Sequence, residues 1–145
     1  MSRKYIVATV IVLCTKLAFC QKTSSTEQEV IKKVEEYFEG YAKGDSILLK
    51  KVFHEDFRLS WRDPWRHTLA HADRSGLFNF FGSHWSNLKI ESEIEEVATT
   101  ENSAYCRAKV TLKGMVIWTD HISLLKLPDD RWWIISKVSE GKIIN

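Results

Sequence analysis

Apolar and polar residues follow two different periods along this chain, which divides into a helical first half and a strand-rich second half. The apolar residues of the first segment recur at helical spacing, at Val30, Val34, Tyr37, Phe38 and Tyr41. Thr26 and Glu29 form a capping box before them, and Gly44 suits a C-cap after them. The pattern predicts a first helix between Thr26 and Gly44.

Two further helices and a strand are predicted before the period changes. Asp45 is a suitable N-cap for a second, shorter helix with an apolar face at Leu48, Leu49, Val52 and Phe53. Phe57, Leu59 and Trp61 alternate with polar residues, which favours a short strand. After a turn at Asp63-Pro64, a third helix ending at Gly82 is indicated by its apolar face, Leu77, Phe78, Phe80 and Phe81.

From Leu88 onward the apolar period is two, which is typical of antiparallel strands. One strand carries Ala104, Cys106, Ala108, Val110 and Leu112 on a single face. The segment Met115 to Glu140 then reads as a long hairpin around Pro128-Asp129-Asp130, with apolar residues on both faces. A hairpin of this kind needs cover on both sides, so we expect an α+β fold with helices on one face of a curved, mainly antiparallel sheet.

The first 20 residues have a different composition from the rest. Arg3 and Lys4 precede an apolar run from Tyr5 to Leu13, and Ala18-Phe19-Cys20 precede Gln21. This pattern predicts a signal peptide at 1–20 and one domain at 21–145, hence a secreted or periplasmic protein with no stable membrane span. A retained anchor and lipid attachment at Cys20 are the alternatives.

Cleavage after Cys20 changes the charge and the cysteine content. The chain has 21 basic and 19 acidic residues, and loss of Arg3, Lys4 and Lys16 leaves 18 and 19, so the net charge falls from +2 to −1. No basic stripe interleaved with aromatic residues suggests a nucleic acid or an anionic membrane surface as a partner. Cys106 alone remains, which excludes an intramolecular disulfide.

Several short motifs resemble the nuclear transport factor 2-like superfamily, and in particular its exported branch of putative lumazine-binding proteins. They are Tyr37-Phe38-Glu39-Gly40, Gly44-Asp45, Leu49, Phe53-His54, Asp56, Thr119 to Lys126, Trp132 and Lys137. The resemblance implies a cone-shaped barrel of three N-terminal helices on a curved sheet, commonly dimeric, with a pocket between the helices and the concave sheet face. Relatives include isomerases, dehydratases and cyclases as well as members that only bind or scaffold, so the fold does not settle the function.

The turn lengths predict which strand residues face that pocket. Two-residue turns at Lys113-Gly114 and Asp129-Asp130 would pair Cys106 with His121 and His121 with Val138. Directly opposed residues share a face, so the inner face would carry Thr119, His121, Ser123, Trp132 and Ser136. A slip of one residue reverses the faces and brings Asp120 into the pocket instead.

On the same register the outer face is apolar. It would present Tyr105, Trp118, Ile122, Trp133 and Ile135, with Arg107 opposite Asp120 as an ion pair. An exposed apolar face of this size favours a homodimer formed through the sheet.

His121 is the main candidate for acid-base chemistry, because imidazole titrates near neutral pH, and Asp120 is the second. A histidine bonded to a neighbour and a structural ion pair are the competing interpretations. His67 and His71 would share a helix face, with His84 or Asp73 as a third ligand, but the spacing is too weak to predict a metal site. Cys106 fits a buried inert thiol.

These observations lead to an exported domain that binds a small aromatic or polycyclic molecule, without a cofactor. Two alternatives remain: an isomerase-, dehydratase- or cyclase-type enzyme using His121 or Asp120, and an interaction module whose pocket is filled by side chains. The expected ligand-binding residues are Tyr37, Tyr41, Trp61, Phe81, Trp85, Thr119, Ser123, Trp132 and Ser136.

Overall fold

Three helices pack against a single six-stranded sheet in a computed structural model, which describes residues 24–84 and 89–144, without the side chains of residues 80–84. The helices are α1 (Ser25–Lys43), α2 (Ser46–Val52) and α3 (Arg74–His84). The strands are β1 (Phe53–Arg62), β2 (Leu69–Asp73), β3 (Ile90–Thr99), β4 (Ser103–Leu112), β5 (Val116–Lys126) and β6 (Trp132–Ile143).

The sheet is open and mixed, with the order β2-β1-β6-β5-β4-β3. Strands β1 and β6 run parallel, and the other neighbours are antiparallel. The sheet of the predicted cone-shaped barrel is not closed, because β2 and β3 remain as edges. The α+β class and the three helices are confirmed, whereas β2 was not predicted.

The helix ends follow from local capping. Ser24, two residues before the predicted cap, accepts a hydrogen bond at its Oγ from the Glu27 amide at 3.1 Å. Gly44 ends α1 in the left-handed conformation at φ 64°, as predicted. Asp45 caps α2 by accepting bonds from the amides of Ile47 and Leu48 at 2.9 and 3.0 Å. These caps fix α2 directly after α1.

The turn between β4 and β5 contains three residues, and this reverses the predicted face of β5. The Met115 amide donates to the Leu112 carbonyl at 3.0 Å around Gly114, whose φ is 76°. Ala108 therefore opposes Asp120, and Arg107 opposes His121. The inner face of β5 carries Val116, Trp118, Asp120, Ile122 and Leu124.

A β-bulge at Ile135 exchanges the two faces of β6, so that odd-numbered residues point inward after it. The pairs His121–Val138 and Ser123–Ser136 are as predicted, but all four residues lie on the outer face. Beyond the bulge Leu124 pairs with Ile134, so Ile134 and Trp132 are buried on the inner face. Lys137 and Ser139 also point inward, opposite Ile122 and Asp120.

The outer face is consequently less apolar than expected. Tyr105 and Trp133 lie on it, but Trp118 and Ile122 belong to the inner face, and Ile135 is half-buried at the bulge. Arg107 pairs with Glu95 and Glu96 at 3.1 and 3.3 Å rather than with Asp120. The predicted homodimer remains a prediction, with a smaller apolar surface available to it.

The hydrophobic core lies between α1, α2 and the inner sheet face. Val34, Leu49, Phe53, Phe57 and Ile134 are completely buried there. No helix in the described part of the chain is long and apolar enough to cross a membrane. The predicted signal peptide at 1–20 lies outside the described residues.

Candidate functional site

A cavity of about 550 Å³ opens between α1, the β1–β2 hairpin and the inner face of the sheet. Its wall is largely apolar and aromatic, formed by Tyr41, Leu59, Trp61, Leu77, Val110, Leu112, Val116 and Trp118. Small-molecule sites in proteins have this size and this lining.

Four polar side chains meet at the inner end of the cavity. Asp120 Oδ2 accepts hydrogen bonds from the Tyr37 hydroxyl at 3.0 Å and from Lys137 Nζ at 2.9 Å. Its Oδ1 accepts a bond from Ser139 Oγ at 2.6 Å. Lys137 Nζ also donates to the Tyr37 hydroxyl oxygen at 2.8 Å. We call Tyr37, Asp120, Lys137 and Ser139 the polar cluster.

Three elements bring the polar cluster together. Tyr37 projects from α1 on the same apolar face as Val30 and Val34. The three-residue β4–β5 turn places Asp120 inward, and the bulge at Ile135 does the same for Lys137 and Ser139. Ser139 lies directly opposite Asp120, which explains their short contact.

The polar cluster is buried and its charges are compensated. Asp120 is 1% exposed and Lys137 is 8% exposed. A buried carboxylate is tolerated only when it is paired and hydrogen-bonded, and the ammonium of Lys137 meets that need. The same ammonium lies 5.0 Å from the centre of the Tyr37 ring, a cation–π distance.

Burial also sets the protonation of the tyrosines. Desolvation, followed by the charge of Asp120, raises the pKa of Tyr37 well above its ordinary value, and the same two causes raise the pKa of Tyr41. Both phenols are therefore neutral at physiological pH. The hydroxyl of Tyr37 remains a proton donor to Asp120 and an acceptor from Lys137.

The cavity contains four of the sequence-predicted site residues: Tyr37, Tyr41, Trp61 and Asp120. Trp132 lies on the inner face, but its indole donates to Glu29 Oε2 at 3.1 Å, and it does not line the cavity. The side chain of Phe81 and the whole of Trp85 lie outside the described residues.

The prediction that His121 faces the pocket is wrong, and so is the inward placement of Thr119, Ser123 and Ser136. All four lie on the outer face, because the β4–β5 turn is one residue longer than expected. His121 is exposed, and its Nδ1 lies 2.7 Å from the hydroxyl of Tyr105.

The spacing of His67 and His71 is not helical in the structure. His67 lies in the β1–β2 loop at φ 56°, and His71 lies on β2 with Nδ1 2.9 Å from Ser60 Oγ. His54, Glu55 and Asp56 have ligand atoms within 4.8 Å of one another, but Glu55 and Asp56 are exposed. Exposed acidic groups of this kind are common without an ion.

Cys106 is a buried free thiol, as predicted. Desolvation, followed by the charge of Asp120, raises its pKa to about 12. The thiolate is the nucleophile in cysteine chemistry, so this residue is inert at neutral pH.

The cavity residues that the sequence did not predict include Lys137, Ser139 and Trp118. Lys137 lies among Ile134, Ile135 and Val138 in an apolar strand, and this sequence feature indicates a buried lysine. Long charged side chains are rarely buried unless paired, so its partner had to be found first. The register error hid that partner, Asp120.

Residues 25–139 match the family described as putative lumazine-binding. No curated protein matches the sequence. Solved structures with the same fold include a nuclear transport factor 2-like protein of unknown function from Shewanella baltica, with 19% identity, a TM-score of 0.71, and coverage of 83% of this chain and 98% of that one.

A second solved structure, a nuclear transport factor 2-like protein of unknown function from Silicibacter pomeroyi, has 18% identity and a TM-score of 0.70, over 83% of this chain and 99% of that one. A ketosteroid isomerase-like protein from Erwinia carotovora atroseptica has 15% identity and a TM-score of 0.61, over 79% and 94% of the two chains. These likenesses establish the nuclear transport factor 2-like fold.

Proposed function

The chain belongs to the putative lumazine-binding family, and on that premise we propose that it binds a flat, bicyclic or polycyclic heteroaromatic molecule in the cavity. The observation that carries the proposal is an apolar cavity of about 550 Å³ with a buried, charge-paired polar cluster at its inner end. The proposal includes export of the chain, which the sequence of residues 1–20 supports.

The wall of the cavity suits a flat ring. Trp61 and Trp118 both line it, from β1 and β5 respectively. Aromatic side chains bury a large area and favour offset-stacked or edge-on contact with other rings. The remaining lining is mainly aliphatic, which disfavours a highly charged ligand.

The polar cluster selects for a hydrogen-bond acceptor on that ring. The Lys137 ammonium has three protons, and the described residues accept two of them, at Tyr37 and Asp120. The hydroxyl protons of Tyr37 and Ser139 are both directed to Asp120. The remaining Lys137 proton is therefore suited to a ring carbonyl, which lumazines possess.

The geometry favours binding over proton transfer by Asp120. Its carboxylate already accepts three hydrogen bonds, one of them from an ammonium. A general base must be free to accept a substrate proton, so Asp120 would first have to break these contacts. His121, the other candidate base, lies on the opposite face of the sheet.

The test is a titration with 6,7-dimethyllumazine, followed by quenching of the probe's fluorescence. We expect saturable binding by the wild type. Ala72→Phe fills the cavity from β2 and should abolish binding, whereas Ala98→Phe, an exposed alanine on β3, should leave it unchanged.

His121→Ala serves as a further control and should bind as the wild type does. Absence of saturable quenching in the wild type would refute the proposal. So would an affinity of Ala72→Phe equal to that of Ala98→Phe, since the probe would then bind elsewhere.

A further inference from the structure

Two exposed apolar side chains lie at the mouth of the cavity, and two more lie on the strands beside it. Trp65 and Met115 both line the cavity, yet they are 55% and 41% exposed. Leu69 at the start of β2 is 70% exposed, and Ile143 at the end of β6 is 38% exposed. A cluster of exposed apolar side chains marks a surface that contacts a partner.

Three segments distant in sequence form this mouth. The Ile144 amide donates to the Met115 carbonyl at 3.0 Å, which joins the end of β6 to the β4–β5 turn. Pro64 of the β1–β2 loop packs on Gly141, where a Cβ would lie only 3.0 Å from Pro64 Cγ. We define the mouth surface as residues 62–69, 113–115 and 141–144.

The loop that presents Trp65 is internally braced. Asp63 Oδ1 accepts hydrogen bonds from the amides of Trp65 and Arg66 at 2.8 and 2.9 Å. The His67 amide donates to the Asp63 carbonyl at 2.8 Å. The exposed indole is thus held on an ordered turn at the rim.

The mouth surface is basic, in contrast to the rest of the domain. It holds four exposed basic side chains and one acidic one: Arg62, Arg66, Lys113 and Lys142, with Asp63. Residues 24–144 contain 17 basic and 19 acidic residues in all, so outside the mouth surface 13 basic residues face 18 acidic ones. Two acidic residues border this surface: Glu91 forms an ion pair with Lys113 at 2.5 Å, and Glu140 lies opposite Arg62 in the β1–β6 register.

We propose that the mouth surface docks onto an anionic lipid bilayer, with Trp65 and Met115 at the level of the headgroups. Tryptophan is enriched at membrane–water interfaces, where its amphipathic ring is favoured. Basic residues near an anionic leaflet strengthen attachment, and each contributes about a fivefold gain in partitioning. Docking in this orientation opens the cavity directly onto the lipid.

Docking of the mouth surface does not depend on ligand binding in the cavity. The sequence did not predict a membrane surface as partner, because no basic stripe interleaved with aromatic residues exists along the chain. The fold assembles that combination from three separate segments.

The experiment is co-sedimentation of the protein, without signal peptide, with phosphatidylcholine vesicles, either pure or mixed two to one with phosphatidylglycerol. We expect binding to the anionic vesicles alone, and its loss at about 0.5 M salt, where charges are strongly screened. Trp65→Ser should lower the partition coefficient about tenfold, because it removes an apolar side chain from the interface.

Matched variants separate docking from general stickiness. Ile47→Ser removes an apolar residue that is 68% exposed on α2, away from the mouth surface, and should leave partitioning unchanged. Arg66→Gln/Lys142→Gln should lower it roughly 20-fold, whereas Lys32→Gln/Lys51→Gln should change it less than twofold. All these side chains are on the surface, and circular dichroism checks the fold.

Equal binding to neutral and anionic vesicles, or none to either, would overturn the proposal. The same holds if Ile47→Ser weakens binding as much as Trp65→Ser. A concentration-dependent dimer that Trp65→Ser abolishes, without vesicle binding, would assign the mouth surface to a second copy of the chain instead.

Discussion

At the scale of single residues, the charge of Asp120 determines how the inner end of the cavity is built. Lys137 compensates it at 2.9 Å, and Tyr37 and Ser139 occupy its other acceptor sites. Breaking a buried ion pair from one side leaves an uncompensated charge, whereas removing both charges does not. The two kinds of substitution therefore have different consequences.

Asp120→Asn should destabilise the protein by about 3–5 kcal/mol, because the Lys137 ammonium stays buried without its carboxylate. Asp120→Asn/Lys137→Met should recover much of that loss. Urea unfolding of the wild type, both single variants and the double variant measures the coupling. A double variant as unstable as the sum of the singles would show that the pair is not coupled.

The Cys106 thiol is expected to make the free energy of unfolding decrease at alkaline pH. Its folded pKa, about 12, lies above the ordinary value of 9.0, so the folded state holds the proton more tightly. The stabilisation is complete below pH 9 and is lost as the pH rises toward 12, by about 1.4 kcal/mol per pH unit.

We expect the free energy of unfolding of Cys106→Ala to fall less steeply between pH 9 and 11 than that of the wild type. Urea unfolding at several pH values provides the comparison, with pH 6–8 as the range where both slopes agree. Parallel curves for the two proteins above pH 9 would show that the thiol does not contribute.

At the scale of elements, the contact between α1 and α2 depends on Gly40. A Cβ at this position would lie 2.7 Å from Leu49 Cδ2 and 2.9 Å from Leu49 Cγ. Leu49 is fully buried and cannot move aside easily. The glycine thus allows the second helix to pack closely against the first.

Gly40→Ala should lower stability by about 1 kcal/mol, because overpacking costs more than the gain in helix propensity returns. Thermal unfolding is the measurement, and Gly40→Ala/Leu49→Val should restore part of the loss by making room. A Gly40→Ala protein more stable than the wild type would mean that helix propensity dominates here.

The elements also show what the sequence can and cannot predict. Helix α1 with its Gly44 cap, the Asp45 cap of α2 and the long β5–β6 hairpin follow from periodicity and capping. Two local irregularities do not: the third residue of the β4–β5 turn and the bulge at Ile135. Each shifts a strand by one residue, which exchanges its two faces.

This exchange of strand faces explains why some site residues were predicted incorrectly. Tyr37 and Tyr41 were placed correctly because helical spacing fixes their face without reference to a turn. His121 was predicted to face the pocket in place of Asp120, because the inward face of β5 depends on the length of the β4–β5 turn, which the sequence does not reveal. Lys137 was missed because its inward direction depends on the bulge.

At the scale of the whole molecule, export is the prediction that the described residues leave open. Expression of the full-length chain in a bacterial host should give a mature protein that begins at Gln21, since cleavage after Cys20 fits the signal pattern. Intact-mass measurement distinguishes this product from an uncleaved chain and from one carrying lipid on Cys20. Either of those two masses would contradict the prediction.

The cavity is the property on which the proposed function depends, and native mass spectrometry with added 6,7-dimethyllumazine tests it most directly. We predict one bound molecule per chain for the wild type and for Ala98→Phe, and none for Ala72→Phe. A wild-type protein that takes up no molecule, or an Ala72→Phe protein that takes up as much as the wild type, would show that the cavity does not bind the probe.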